Sequence, residues 1–204
     1  KEFATLLNGS GRYILTPTGE GDDERGELIM RVCLNPTVYS ESALRNMDDH
    51  KVHIRDGVAK VHTVVQMRNI QYVLPKRKNS YCLGVNDTIL GIIAGMVLDQ
   101  RKGDGALDVD PSKPLVALTE RAGSAHGGKD PEVKVSARME RTLTAKGINL
   151  GKAIDRASAR VGGGGGGHDV AAGATIPKKR IRKFLEALDE EVGGQLGLSP
   201  SERP

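Results

Sequence analysis

Aromatic residues are scarce: the 204 residues hold no Trp, two Phe and four Tyr, 3% of the chain. That argues against a platform that binds single strands by stacking bases on rings. Cysteine is scarce as well. Cys33 and Cys82 stand alone and carry no metal-ligand spacing, so neither a disulfide framework nor a zinc site is expected. No apolar run approaches the ~20 residues of a membrane span, and no signal peptide is visible, so a reducing, cytoplasmic setting is expected. The chain opens at Lys1 rather than Met, which leaves its natural start open.

Several catalytic signatures are missing too. No Asp-x-Asp stands beside a His-rich strand; Asp108-Val-Asp110 falls in a Gly/Pro loop with no histidine near it. Asp48-Asp49-His50 and His53 sit on a helical stripe, where an i, i+3 His pair shares a face, but no further ligands gather there. The expectation is no metal site. A Walker A loop is excluded because His168-Asp169 follows the glycines where Lys-Ser/Thr is required. No G-x-S-x-G elbow is present either.

With 38% hydrophobic residues in periodic segments, the chain has enough apolar material for a folded core. Residues 38–61 carry a helical stripe of Leu44, Met47, Ile54, Val58 and Val61, broken by Lys51. Residues 63–74 read as a strand, or two with a break near Arg68-Asn69. Residues 87–100 read as a buried helix capped by Asn86 or Asp87 and apolar nearly all round, with Gly91 and Gly95 allowing close packing. Residues 114–119 are a continuous apolar run, a central strand. Residues 132–138 alternate, with Val133, Val135 and Ala137 on one face and Lys134, Ser136 and Arg138 on the other. Asn149 caps a helix facing inward through Leu150, Ile154, Ala157 and Val161. Pro177 opens a last helix with Ile181, Phe184, Leu185, Leu188 and Val192 inward. The expected fold class is α/β: a mixed β-sheet flanked by helices, with an N-terminal helical linker. Residues 1–62 form that linker and an acidic loop, 63–195 the sheet domain, and 196–204 a tail.

The most unusual stretch runs from Gly162 through Gly167 into His168-Asp-Val-Ala-Ala-Gly-Ala. Six glycines in a row read as a flexible linker, or as an ordered loop whose N–H groups form an anion-binding nest. A helical pattern entering and a strand-like pattern leaving favour the ordered loop. Charge adds to this. Residues 129–183 hold 13 Lys/Arg against 5 Asp/Glu, although the whole chain is only +4. The excess around the glycines suits an anionic ligand. Arg138 can grip a phosphate as a fork, with Lys134 and Ser136 beside it and His168 as a further donor. A structural histidine holding its loop is the plainer reading of His168. Grip on the backbone fits better than base readout.

Gly-Gly-Gly-His168-Asp-Val-Ala-Ala-Gly resembles the signature of the DHH-associated domain, the C-terminal, substrate-gripping domain of DHH-superfamily phosphoesterases. Lys134-Val-Ser-Ala-Arg138 is similar to the family's Ser-Ala-Arg strand, and Gly147-Ile-Asn-Leu-Gly151 follows in order. Residues 2–12 resemble the segment joining the two domains in archaeal RecJ-like nucleases, while 20–75 match poorly. The resemblance implies a substrate site of Lys134, Ser136, Arg138, Gly163, Gly164, Gly165, Gly166, Gly167, His168, Ala171, Ala172 and Gly173, with Asn8 and Arg12 near the interdomain cleft. It places His168 close to the scissile phosphate and implies no catalytic residue in this chain. Mn²⁺ or Mg²⁺ would be bound by a catalytic DHH domain outside it. The implied activity is exonucleolytic cleavage of single-stranded DNA or RNA. Relatives associate with replication or repair partners such as the GINS complex. The rivals are a DHH-family phosphatase for small phosphorylated nucleotides, and a nucleic-acid-binding module without catalysis like the one appended to alanyl-tRNA synthetases.

Overall fold

The computed structural model describes residues 36–100, 107–121 and 130–197, with side chains from Asp48 onward. Residues 2–7, Asn8, Arg12, the acidic stretch 16–27, Cys33 and His126 lie outside the described residues. The chain divides into two compact units between Asp56 and Gly57.

Helix α1, Pro36–Ala59, stops short of Val61, which opens strand β1, Val61–Gln66. Strand β2, Gln71–Pro75, pairs antiparallel with β1, so the segment is two strands broken where the sequence suggested. The turn between them is held from far along the chain. The Asp189 carboxylate accepts the N–H groups of Asn69 (2.7 Å) and Ile70 (3.0 Å), and the Asn69 amide donates back to the Asp189 carbonyl (3.0 Å).

Helix α2, Leu90–Asp99, starts later than its apolar pattern implies. The Asn86 side chain accepts the Thr88 N–H (2.9 Å), so a turn precedes the helix and no side chain caps it. Nor is α2 buried all round. Leu90, Ile93, Ala94, Val97 and Leu98 are buried, but Ile92 and Met96 are 40% and 44% exposed.

Strand β3, Leu115–Glu120, is central, with Leu115 to Leu118 fully buried. Strand β4, Glu132–Arg138, buries Val133, Val135 and Ala137 as its sequence suggests, but Ser136 on the opposite face is buried too, and a 3₁₀ turn, Arg141–Lys146, follows. Asn149 caps helix α3, Leu150–Ala159, its side-chain oxygen accepting the Lys152 N–H (2.9 Å). Strands β5, Gly164–Gly167, and β6, Ala171–Pro177, form a hairpin. Pro177 ends β6 rather than opening a helix. A 3₁₀ turn, Lys178–Arg180, intervenes before helix α4, Ile181–Gln195.

The six strands make one mixed sheet in the order β1-β2-β3-β4-β6-β5, antiparallel throughout except between β2 and β3. Its two faces are covered differently. Val133, Val135 and Ala137 of β4 and Ala172, Ala174 and Ile176 of β6 bury against α3 and α4, around Phe184 and Leu188. Each fully buried Leu, Ile or Phe contributes about 1.5–3 kcal/mol of transfer free energy, so this face supplies most of the core. Helix α2 lies on the opposite face, against β3 and β4. That cover stops short of β6 and β5, where Gly166, Gly173 and Thr175 remain part-exposed.

Candidate functional site

The uncovered face is organised by the cross-strand register. Arg138 on β4 pairs with Ala171 on β6. Ser136 pairs with Gly173, which pairs in turn with Gly166 on β5. Lys134 pairs with Thr175, which pairs with Gly164. Paired residues in a ladder direct their side chains to the same face. Lys134, Ser136 and Arg138 therefore look across a floor of nearly bare backbone made by Gly173, Gly166 and Gly164. Alanine methyls at Gly164 and Gly166 would meet nothing within 4 Å. Another molecule can reach the main chain there.

Arg138 is the strongest electrostatic feature of that face. Its Nη1 donates to the Ala137 carbonyl (2.8 Å) and to Ser136 Oγ (3.2 Å), which fixes the plane of the guanidinium. Helix α2 shapes the space around it: a Cβ on Gly91 would run into Arg138 Nη2 and lie 3.1 Å from Ser136 Oγ. Burial pushes the Arg138 pKa down, and the group still carries its charge because arginine cannot deprotonate in this range. Among the described residues no carboxylate pairs with it. Its bonds to the Ala137 carbonyl and Ser136 Oγ restore part of the solvation that burial removes, and an anion would restore more.

His168 sits at the turn of the β5–β6 hairpin. Its N–H donates to the Ala171 carbonyl (2.9 Å), while its imidazole is exposed and makes no hydrogen bond to a described residue. None of the described contacts of this turn uses the imidazole. The turn is tied down by the backbone instead: Leu150 N–H of α3 donates to the Asp169 carbonyl (2.8 Å), and Gly151 lets α3 approach the Gly167 and His168 carbonyls. Arg138 and His168 are separated by about two interstrand spacings, roughly 10 Å between backbones.

The glycine run is neither a linker nor a compact nest. Four of its residues form an edge strand, and alternate glycines do different work. Cβ atoms at Gly163, Gly165 and Gly167 would collide with Ile176, Ala174 and Ala172 of β6. These glycines serve packing beneath α3, and their Cα–H faces turn away from Arg138. Ala172 is likewise in the core, so of the implied site residues it does not face the open surface.

The charge excess is also divided. Strand β6 runs antiparallel to β4, carrying the chain from Ala171 beside Arg138 to Pro177 beside Glu132. Lys178 to Lys183 therefore lie about 20 Å from Arg138, the length of the strand. The His168 end of the glycine run and the basic turn are at opposite ends of the sheet. Lys178 pairs with Glu120 (2.8 Å), Lys179 with Asp130, and Arg182 with Glu186 (3.0 Å).

Among the described residues no group of three or more His, Cys, Asp or Glu could hold a metal ion. His53 is exposed on α1, and His50 is half-buried one turn earlier; among the described residues no ligand set gathers around either. The described residues gather no carboxylate and histidine set for a Mn²⁺ or Mg²⁺ centre. No described helix is long and apolar enough to cross a membrane.

The chain matches the DHHA1 domain family over residues 78–194 and belongs to that family. The matched segment runs from the turn after β2 into the last turns of α4 and contains every element of the open face. A curated relative, uncharacterized protein MJ0831 of Methanocaldococcus jannaschii, is 31% identical over 197 residues. The alignment covers 95% of this chain and 35% of the relative, so the chain spans about a third of that protein's length. Among solved structures, the chain is similar to the pGpG-specific phosphodiesterase PggH of Vibrio cholerae (TM-score 0.49, 11% identity, 95% of this chain and 58% of that one). It is also similar to the C-Ala domain of Aquifex aeolicus alanyl-tRNA synthetase (TM-score 0.44, 15% identity, 65% and 100%). At these scores and identities the two likenesses carry no functional argument.

Proposed function

We propose that this chain is the substrate-gripping part of a DHH-family phosphoesterase, acting on single-stranded nucleic acid. The half-buried Arg138, fixed by Ser136 and with no carboxylate partner among the described residues, carries the reading. A phosphate seated on its fork accepts two parallel N–H bonds and restores the lost solvation. The floor of Gly173, Gly166 and Gly164 admits the sugar–phosphate chain against bare backbone. Lys134 and His168 flank that path along β4 and at the hairpin turn. In this reading the chain binds and orients the phosphate, and the Mn²⁺ or Mg²⁺ implied by the family is held by residues beyond those described.

One observation favours a second reading. The basic turn at Lys178 is remote from Arg138, so the positive surface does not continue as a single groove. A phosphatase for small phosphorylated nucleotides needs only the Arg138 end. Substrate length separates the two. Affinity for 5′-phosphorylated oligothymidylates, measured by fluorescence anisotropy, rises with each added nucleotide across the glycine floor if the substrate is a polynucleotide. Equal affinity for mono-, di- and tetranucleotides overturns the polynucleotide reading in favour of the small substrate.

A further inference from the structure

We infer a second anion site, distinct from the Arg138 face, which takes a phosphorylated small molecule of about nucleotide size. A cleft of about 360 Å³ opens between the turn after β2, the end of β3 and the start of α4. It lies at the other end of the sheet from Arg138 and on the other side. Cys82 and Ile181, which line it, belong to the core beneath α3 and α4, whereas Arg138 lies against α2. The volume is at the lower end of the range for small-ligand pockets, near 300 Å³.

The chemistry of the walls selects the ligand. Arg77 and Lys78 enter from one element, and Lys178, Lys179 and Arg182 from another, with Glu120 as the lone carboxylate lining the space. No described acid pairs with Arg77 or Lys78. The three opposing cations hold acids only in half-exposed surface pairs. Such pairs contribute little and yield readily to a dianionic phosphate. The helix behind them points the same way. Helix α4 has no side-chain cap and no acid in its first turn, and the Lys178–Arg180 turn precedes it. Cations crowded at a helix N-terminus oppose its dipole, and an anion bound between them reverses that penalty.

The rest of the cleft suits a compact organic group attached to the phosphate. Tyr81, one of six aromatics in the chain, lines it with its ring beside Tyr72 (centroids 6.0 Å apart). Its entrance is shaped by a tight turn. Asn79 adopts a left-handed conformation (φ 59°), and Ser80 Oγ accepts the Cys82 N–H (3.2 Å) and donates to the Cys82 carbonyl (3.1 Å). This turn presents Arg77 and Lys78 toward α4 before ligand arrives, which lowers the ordering cost of binding.

The test is a ¹⁵N NMR titration of the whole chain with adenosine monophosphate, and separately with inorganic phosphate. Adenosine monophosphate is expected to shift amides at residues 77–82 and 178–182, and to bind more tightly than inorganic phosphate. The Arg77→Ala/Lys78→Ala pair, both exposed, should weaken this binding about tenfold or more, the loss of one to two charge-assisted contacts. Arg182→Gln should weaken it in the same direction. Arg138→Ala should leave these shifts intact, so failure here is distinguishable from failure at the first site. Absence of shifts at 77–82, or shifts indifferent to all three cleft substitutions, overturns the second site. Equal affinity for inorganic phosphate overturns a nucleotide-sized ligand.

Discussion

Gly91 of α2 leaves the space that the Arg138 guanidinium occupies: a single methyl there would overlap Nη2. The arginine is therefore held from two sides, by the helix above and by Ser136 along its own strand. A residue chosen for its missing side chain positions the cation proposed to meet the substrate.

Gly91→Ala tests that relationship. Alanine improves helix propensity by about 1 kcal/mol, but the added methyl must displace the guanidinium, which costs about 1–3 kcal/mol in a packed site. Phosphate-ligand affinity should fall in Gly91→Ala. Combined with Arg138→Ala, the same substitution should become neutral or stabilising in denaturant unfolding, because the clash is gone. Additive effects would show that the two residues do not share the space.

The glycine strand makes a contrast within one element. Gly164→Ala adds a methyl to open space and should leave stability unchanged or raise it by about 0.4–1 kcal/mol through the unfolded chain. Gly165→Ala drives a methyl into Ala174 Cβ, at 2.6 Å, and the Gly173 carbonyl. It should cost about 1–3 kcal/mol by the same overpacking argument. Thermal unfolding of the two variants decides this. Equal tolerance at both positions would describe a linker and contradict a paired strand.

These glycines show where the sequence stops being legible. β4 could be read directly, because Val133, Val135 and Ala137 alternate with polar residues and all three are buried, although Ser136 on the other face is buried as well. Asn149 and the inward stripe of α4 were readable for the same reason: local chemistry and local periodicity coincide. A strand of four glycines has no side chains to alternate, so it reads as a loop and forms only because β6 and α3 receive it. The direction of β6 is likewise invisible in composition. It separates Lys178 from Arg138 although a charge count places them in one block. The Asp189 clamp on the β1–β2 turn joins residues 120 positions apart, and no local pattern announces it.

Cys82 supplies a pH prediction. Burial, with Glu120 adding to it, pushes its thiol up to about 11 from an ordinary value of 9.0. The folded state thus prefers the neutral thiol. Its contribution to stability is fully present below pH 9 and is lost as pH rises toward 11. In a Cys33→Ser background, Cys82 should resist alkylation at neutral pH in the native state and react readily in denaturant. Rapid native-state modification would contradict a buried, protonated thiol.

The central claim is that Arg138 holds the substrate phosphate, and the affinity of Arg138→Ala and Arg138→Lys for a 5′-phosphorylated oligothymidylate tests it most directly. Loss of a charge-assisted contact of about 1.5–3 kcal/mol corresponds to about ten- to hundredfold weaker binding in Arg138→Ala. Lysine restores the charge without the fork, so Arg138→Lys should recover only part of the affinity. Both variants should still fold, with Arg138→Ala somewhat less stable because the Ala137 carbonyl and Ser136 Oγ lose their donor. Wild-type affinity in Arg138→Ala, with the fold intact, would contradict the claim.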